Sequence, residues 1–528
     1  MKRREFLGKS MAVTLPAIIS GYSVKALSAD SPLVRALMGD GTNTDHVLVI
    51  IQLSGGNDGL NMVIPISTYS LYNAARPNIA IPEASILKLN GYDKTGLHPA
   101  MTGIRSLYNE GKLKLVQAVG YPQPNFSHFR ATDIWMSGSN SNQEVFTGWA
   151  GRYLNYEYPN FPNGYPNANM TDPLAIQIGS TATLTTQGPL VNMAMSITSA
   201  TSFYQLINGT DDPVPPTKAG KELSFIRTIA KQTQQYATTI AAAAARVTAQ
   251  SAYPTNNSLA DQLKIVARLV KGGLKTRVYM VSFGGFDNHS LQTTTTDTTI
   301  GTHATLLGRV SDAIRAFQDD LIFLGVEDRV VGMTFSEFGR RIKSNSSTGT
   351  DHGAAAPMFV FGKPIQGGVL GDNPAIPANA TVNDNIPMQY DFRSVYSTLL
   401  EKWFCLSKET MQGLFPPNLN NQLQDLPLIK NGVCSGSLPS NSGITVITNY
   451  PNPFTDKTTI SFTTEGGHTL IQIIDTTGRL IINLLEKDYP AATTQTIVFD
   501  GSHLATGIYY ARFQNGSVQQ VRPMLKVR

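Results

Sequence analysis

Four short polar clusters each stand just past a strand-like apolar run. Val47–Leu53 runs into Ser54-Gly-Gly-Asn57-Asp58, and Leu113–Val119 is followed by Asn125-Phe-Ser127-His128. Arg277–Phe283 runs into Gly284-Gly-Phe-Asp287-Asn-His289, and Arg329–Phe335 runs into Ser336-Glu337-Phe-Gly-Arg340. Asp351-His352-Gly353 follows in a loop. Together these supply carboxylates, imidazoles, a hydroxyl and a guanidinium, the parts of a metal-assisted hydrolase.

Each residue type has a reason to be there. Asp58 follows a Gly-Gly turn, where the backbone folds tightly under a hard-metal ligand. Asp287 and His289 are two apart, so in an extended segment both face one way and can chelate one ion. Glu337 lies just beyond a buried strand, where a carboxylate is costly unless Arg340, Arg341 or a metal neutralises it. Ser127 offers a nucleophile that a metal can activate. His128, its neighbour, points the other way in an extended chain, which suits a group behind the ligands or a general acid. Taken singly, each cluster fits an ordinary turn or cap. Position is what joins them.

Near-continuous apolar runs mark strands buried on both faces, as in parallel sheets covered by helices. Ligands collect outside the carboxyl ends of such strands. Helical patterns alternate with the runs. Residues 221–250 are rich in Ala and straight-chain side chains. A second helix is predicted from a capping Ser258 through Leu269. A third carries Leu306, Val310, Ile314, Phe317, Leu321 and Leu324 at helical spacing, just before the Arg329 strand. Strand, helix, strand in that order predicts a parallel α/β unit. Residues 138–205, with many Asn, Pro, Thr and Ser, read as irregular insertions.

The pattern changes past a Gly/Ser-rich linker, 429–445. Short alternating segments follow at Thr458–Thr463, Thr469–Asp475, Leu480–Leu485, Thr496–Phe499 and Gly507–Phe513. They predict a small all-β sandwich over 446–528.

The 528 residues are 41% hydrophobic and 15% charged, which fits a large folded core and excludes a disordered chain. The net charge is +5. Residues 1–29 hold five Lys and Arg against one Glu, so most of the excess sits there and little is left for binding nucleic acid. No basic aromatic stripe is present either. Arg3-Arg4-Glu-Phe6-Leu7, then an apolar Met11–Val24 and Ala26-Leu-Ser-Ala29, resembles a twin-arginine export signal. That implies the Tat translocase as a partner of residues 1–29. The two cysteines, Cys405 and Cys434, exclude a CxxC metal site. They fit equally a disulfide or a simply buried Cys405.

Two further resemblances cover most of the chain. Tyr450-Pro-Asn-Pro-Phe454, Ile474-Asp-Thr-Thr-Gly478 and Leu504-Ala-Thr-Gly507-Ile-Tyr509 resemble the C-terminal sorting domain of the type IX secretion system of Bacteroidetes. This implies the type IX machinery as a partner and a cell-surface, outer-membrane or secreted location. Ser54–Asn61, Leu97-His-Pro-Ala100, Asn125–Phe129, Thr147-Gly-Trp-Ala-Gly-Arg152, Gly284–His289, Ser336–Arg340, Thr350–Gly353 and Asp391–Tyr396 resemble the DUF1501 family, over about residues 45–405. That family is similar to the alkaline phosphatase/sulfatase superfamily.

The resemblance implies an α/β/α sandwich with a mainly parallel sheet over 30–428. It also implies one or two divalent ions (Zn, Mn, Mg or Ca). Carried over, Asp58 and Glu337 hold one ion beside Ser127, and Asp287, His289 and His352 hold the other. Arg340 then stabilises the ester. The chain departs from the superfamily in having Glu337-Phe338 where an Asp-His pair is usual. It also lacks the Cys-x-Pro-x-Arg of formylglycine sulfatases. The expected function is an exported metallohydrolase of phosphate or sulfate esters, on a small-molecule or glycan substrate. The alternative is a non-catalytic envelope or carbohydrate-binding protein that keeps the fold.

Overall fold

The computed structural model describes two short strands at 17–19 and 22–24, and then residues 44–527. From the latter, residues 160, 181, 200–232, 412, 417–418, 420–421, 435–446, 465, 476–478, 492 and 516–517 are excepted. The twin-arginine motif and the first part of the 221–250 helix lie outside the described residues.

The first long apolar run forms strand β1, Val47–Ser54. Its odd residues Val47, Val49, Ile51 and Leu53 pack into one core, while Leu48 and Ile50 pack into another on the opposite face. A strand apolar on both faces is thus buried on both sides. Helix α1 (Thr102–Asn109) leads to β2 (Leu113–Gly120), which is followed by α2 (His128–Ser137) and α3 (Trp149–Glu157). Strands β3 (Ala175–Ile178) and β4 (Ala194–Ile197) come next. Then follow α4 (Ser258–Lys271), β5 (Val278–Gly284), α5 (Thr302–Phe323) and β6 (Val330–Phe335). Strands β7 (Ala356–Phe361), β8 (Gly368–Leu370) and β9 (Tyr390–Asp391) and helix α6 (Phe392–Lys402) end the domain's main elements.

These nine strands form one sheet in the order β8-β2-β7-β6-β1-β5-β3-β4, with β9 also on β2. Every pairing is parallel except those of β7, which runs antiparallel to both β6 and β2. Helices α1, α4 and α5 cover one face, and α2, α3 and α6 cover the other. The expected α/β/α sandwich with a mainly parallel sheet is what forms.

Three expectations need correction. Residues 138–205 are not wholly irregular: they supply α3 and also β3 and β4, which extend the sheet at its edge. Four-residue strands are too short to show a period. The cap of α4 is Asn257, whose side chain accepts from the amide of Ala260, so Ser258 is the first helical residue. The long Ala-rich helix ends by 245 in the described part, 233–245. The cysteine alternatives resolve to a disulfide between Cys405 and Cys434, with Cα atoms 5.6 Å apart.

The C-terminal part packs a three-stranded antiparallel sheet on a four-stranded one. Strands Ile447–Tyr450 and Val518–Lys526 join the five expected from sequence. Ile460, Phe462, Ile471, Ile473, Phe499 and Phe513 fill the space between the sheets. It touches the main domain where Arg152 lies over the Tyr450 ring at 5.5 Å and Thr147 Oγ1 donates to the Asn452 carbonyl at 3.2 Å.

Candidate metal centre

The carboxyl ends of β1, β2, β5 and β6 all lie at one edge of the sheet, because these strands run the same way. Register aligns them closely: Ser54 is opposite Gly284, and Gln52 is opposite Phe335. The reversed strand β7 brings a fifth loop to that edge. Its first residue, Ala356, pairs with Val119, so the chain from Glu337 to Ala355 turns back there. This carries His352 to the other clusters. Glycine lets the first loop sink in. Gly55 has φ +122°, and a Cβ on it would sit 2.4 Å from the Asp287 amide nitrogen.

Three imidazoles meet Asp287. His289 Nε2 lies 3.1 Å and His352 Nε2 lies 3.2 Å from Asp287 Oδ1, and the two nitrogens are 2.9 Å apart. His128 Nε2 lies 3.5 Å from Asp287 Oδ2. Facing atoms of His128, Asp287 and His352 all fall within 4.8 Å of one another.

The other nitrogen of each ring is committed to an oxygen. His352 Nδ1 donates to the Phe126 carbonyl at 2.8 Å, His289 Nδ1 donates to Asp351 Oδ1 at 3.1 Å, and His128 Nδ1 donates to Glu337 Oε1 at 2.9 Å. A carbonyl or ionised carboxylate only accepts, so the ring proton belongs on Nδ1. In the neutral ring Nε2 is then a lone pair. Burial holds His352 below the ordinary imidazole range, against the pull of the Phe126 carbonyl and Asp287. For Asp287 burial opposes ionisation, but the hydrogen bond and the charge of Arg340 outweigh it and lower the pKa. Asp351 behaves alike: burial opposes ionisation, and bonds from Asn345 and His289 outweigh it. Three imidazole lone pairs and a carboxylate facing one another form a set of acceptors that fits a divalent cation. Imidazole nitrogens backed by oxygen acceptors are the usual arrangement around bound metals.

Asp287, His289 and His352 therefore come together, as the sequence suggested. His128 joins them rather than standing behind them. Helix α2 begins at His128, and Ser127 before it is extended, so the rule of opposed neighbours does not govern this pair. Glu337 lies at the centre's buried side, its Oε1 also accepting from the Gly55 amide at 2.8 Å.

Asp58 goes elsewhere. It is buried, with both oxygens bonded by Arg76 Nη1 at 2.8 and 2.6 Å and Oδ2 by Gln292 at 2.6 Å. Burial opposes its ionisation, but the Arg76 charge and hydrogen bonds prevail and lower the pKa. Arg340 is also fully buried, with no face toward a substrate. It donates to the carbonyls of Gly55, Gly56, Phe286 and Thr350 and to Asp287 Oδ1. It staples three loops together and orients Asp287. Ser127 is exposed, and its side chain makes no cap bond to the helix.

Sequence reasoning missed Asp351, the Phe126 carbonyl and Arg76. Asp351 adjoins His352 and was open to notice as a second carboxylate. A backbone carbonyl leaves no sequence signal. Arg76, 18 residues from Asp58, sits in a segment with no strand beside it.

A family model described as "Secretion system C-terminal sorting domain" matches residues 448–526, which marks the chain for export to the cell surface or secretion. No helix among the described residues is long and apolar enough to cross a membrane. No curated protein matches the chain. Among solved structures, it is similar to the PsFucS1 sulfatase of Pseudoalteromonas sp. at 12% identity, covering 89% of this chain and 86% of that one, with a TM-score of 0.31. A protein in the alkaline phosphatase superfamily from Vibrio parahaemolyticus is similar at 9% identity, covering 92% and 84%, with a TM-score of 0.33. The alkaline phosphatase of the Antarctic bacterium TAB5 is similar at 9% identity, covering 61% and 92%, with a TM-score of 0.24. Values this low establish neither a shared site nor a shared reaction. The family model described as "Protein of unknown function (DUF1501)" matches residues 46–411, more than half of the chain and all five loops of the centre, so the chain belongs to that family.

Proposed function

We propose that this chain is an exported metal-dependent hydrolase of phosphate or sulfate esters, with its ion held at Asp287, His289 and His352. The convergence of these three side chains, with the His289 and His352 Nδ1 atoms tied to Asp351 and the Phe126 carbonyl, carries the reading. A divalent ion there supplies positive charge to an ester oxygen. The chain's own groups do the rest. Ser127 Oγ is uncommitted at the N-terminus of α2 and is the candidate nucleophile. The first-turn amides of that helix, with the positive end of its dipole, suit the oxygens of an anionic ester. Arg340 fixes Asp287 and leaves the ester to these groups.

The test uses the full chain. It is stripped with a chelator, reloaded, and assayed on aryl phosphates and aryl sulfates. Hydrolysis of one class that disappears on stripping and returns with a divalent ion is expected. A metal-loaded chain inert to both classes overturns the reading and favours the non-catalytic envelope protein.

A further inference from the structure

We infer that the centre is mononuclear, with His128 as a fourth donor beside Asp287, His289 and His352 and Arg340 in the place of a second cation, and that it prefers a nitrogen-seeking ion such as zinc, iron(II) or nickel over calcium or magnesium. The inference rests on the metal part of the proposed function and not on hydrolysis.

Charge is the first argument. The groups joined at the centre include three carboxylates, Asp287, Asp351 and Glu337, and one guanidinium, Arg340. Ionised, they leave two negative charges. One divalent ion cancels these, whereas two would leave an excess of two positive charges gathered at the cluster. The ligands a second ion needs are also spent. Asp58 belongs to Arg76 and Gln292. Glu337 Oε1 already accepts from Gly55 and His128. Phe338 packs against the rings of His128 and His352 at 4.9 and 4.4 Å and offers no donor.

Spacing is the second argument. Donors about 2.0–2.1 Å from one ion sit about 2.8–3.4 Å apart in octahedral or tetrahedral shells. The separations of 2.9, 3.1 and 3.2 Å among His289, His352 and Asp287 Oδ1 lie at that scale, and His128 Nε2 stands 3.5 Å from the second Asp287 oxygen. His128 also has the same backing as the other two rings, a proton on Nδ1 held by an oxygen, here Glu337. That arrangement aims a ligand and raises its basicity. Nothing else about a surface helix start calls for a buried carboxylate beneath its first side chain.

Donor type is the third. Calcium and magnesium take oxygen-rich shells, while imidazole suits zinc, iron, copper and nickel.

The test is metal titration of the stripped full chain, read by elemental analysis and by the visible spectrum of a cobalt(II) form. One ion per chain is expected, with millimolar calcium or magnesium failing to displace zinc. His128→Ala should weaken zinc binding by at least about tenfold and change the cobalt band intensity. Asp351→Asn, at a more exposed outer position, should keep one ion per chain but weaken it about 10–100-fold without loss of fold by near-ultraviolet dichroism. Two ions per chain, calcium competing as well as zinc, or a His128→Ala chain with the wild-type affinity and spectrum would each overturn the inference. A chain that takes one zinc yet cleaves no ester keeps this inference and sinks only the hydrolase.

Discussion

Arg340 Nη2 donates to Asp287 Oδ1 at 2.8 Å while the rest of the guanidinium is closed in by four backbone carbonyls. One side chain therefore anchors the loops after β1, β5 and β6 and points a carboxylate outward. Arg340→Met strands those carbonyls and leaves Asp287 without its cation. A loss of about 3–5 kcal/mol in urea unfolding is expected, mainly from buried carbonyls left without a donor at roughly 1–3 kcal/mol apiece. A loss below about 1 kcal/mol would refute the stapling role.

Asp58→Asn separates two readings of that residue. As the partner of Arg76, its loss leaves a buried guanidinium unpaired and should cost several kcal/mol. Ion content, measured on the folded fraction, should stay unchanged. A stable Asp58→Asn chain that has lost an ion would make Asp58 a ligand after all.

Ser127→Ala tests the nucleophile. The residue is exposed and uncapped, so folding and ion content should match wild type. Ester hydrolysis should fall by at least about a thousandfold, the loss typical when a covalent nucleophile is removed. Full activity in the variant would mean that another group attacks.

Two buried histidines set a pH dependence away from the centre. Burial holds His303 down to about 4 and His98 down to about 3. In the unfolded chain each takes a proton near 6.5. Between 6.5 and about 4 the unfolded state thus binds protons that the folded state refuses, and stability falls as pH falls. Above 6.5 neither group contributes. The slope is about 1.4 kcal/mol per pH unit for each group. His303→Gln should remove about 2 kcal/mol of the stability difference between pH 7 and pH 5. An unchanged difference in urea melts at the two pH values would show that His303 is not the source.

Much of this protein is legible in the chain itself. Runs such as Val47–Leu53 announce strands buried on both faces, because every position but Gln52 is apolar. Leu306 to Leu324 announces a helix by period. Asp287 and His289 announce a candidate ion site by type and by place at a strand end, and His352 joins them through the family resemblance. What the chain could not announce is which partner each polar group takes. Asp58 and Asp287 both follow a glycine turn at a sheet edge, yet one pairs with Arg76 inside and the other faces outward on Arg340. His128 reads as a group behind the ligands until the helix is seen to start on it. The reversed direction of β7 decides that His352 arrives at all. Those outcomes depend on which loops meet in space. Side-chain charge and hydrogen-bonding capacity are fixed by residue type, but their satisfaction is a tertiary property.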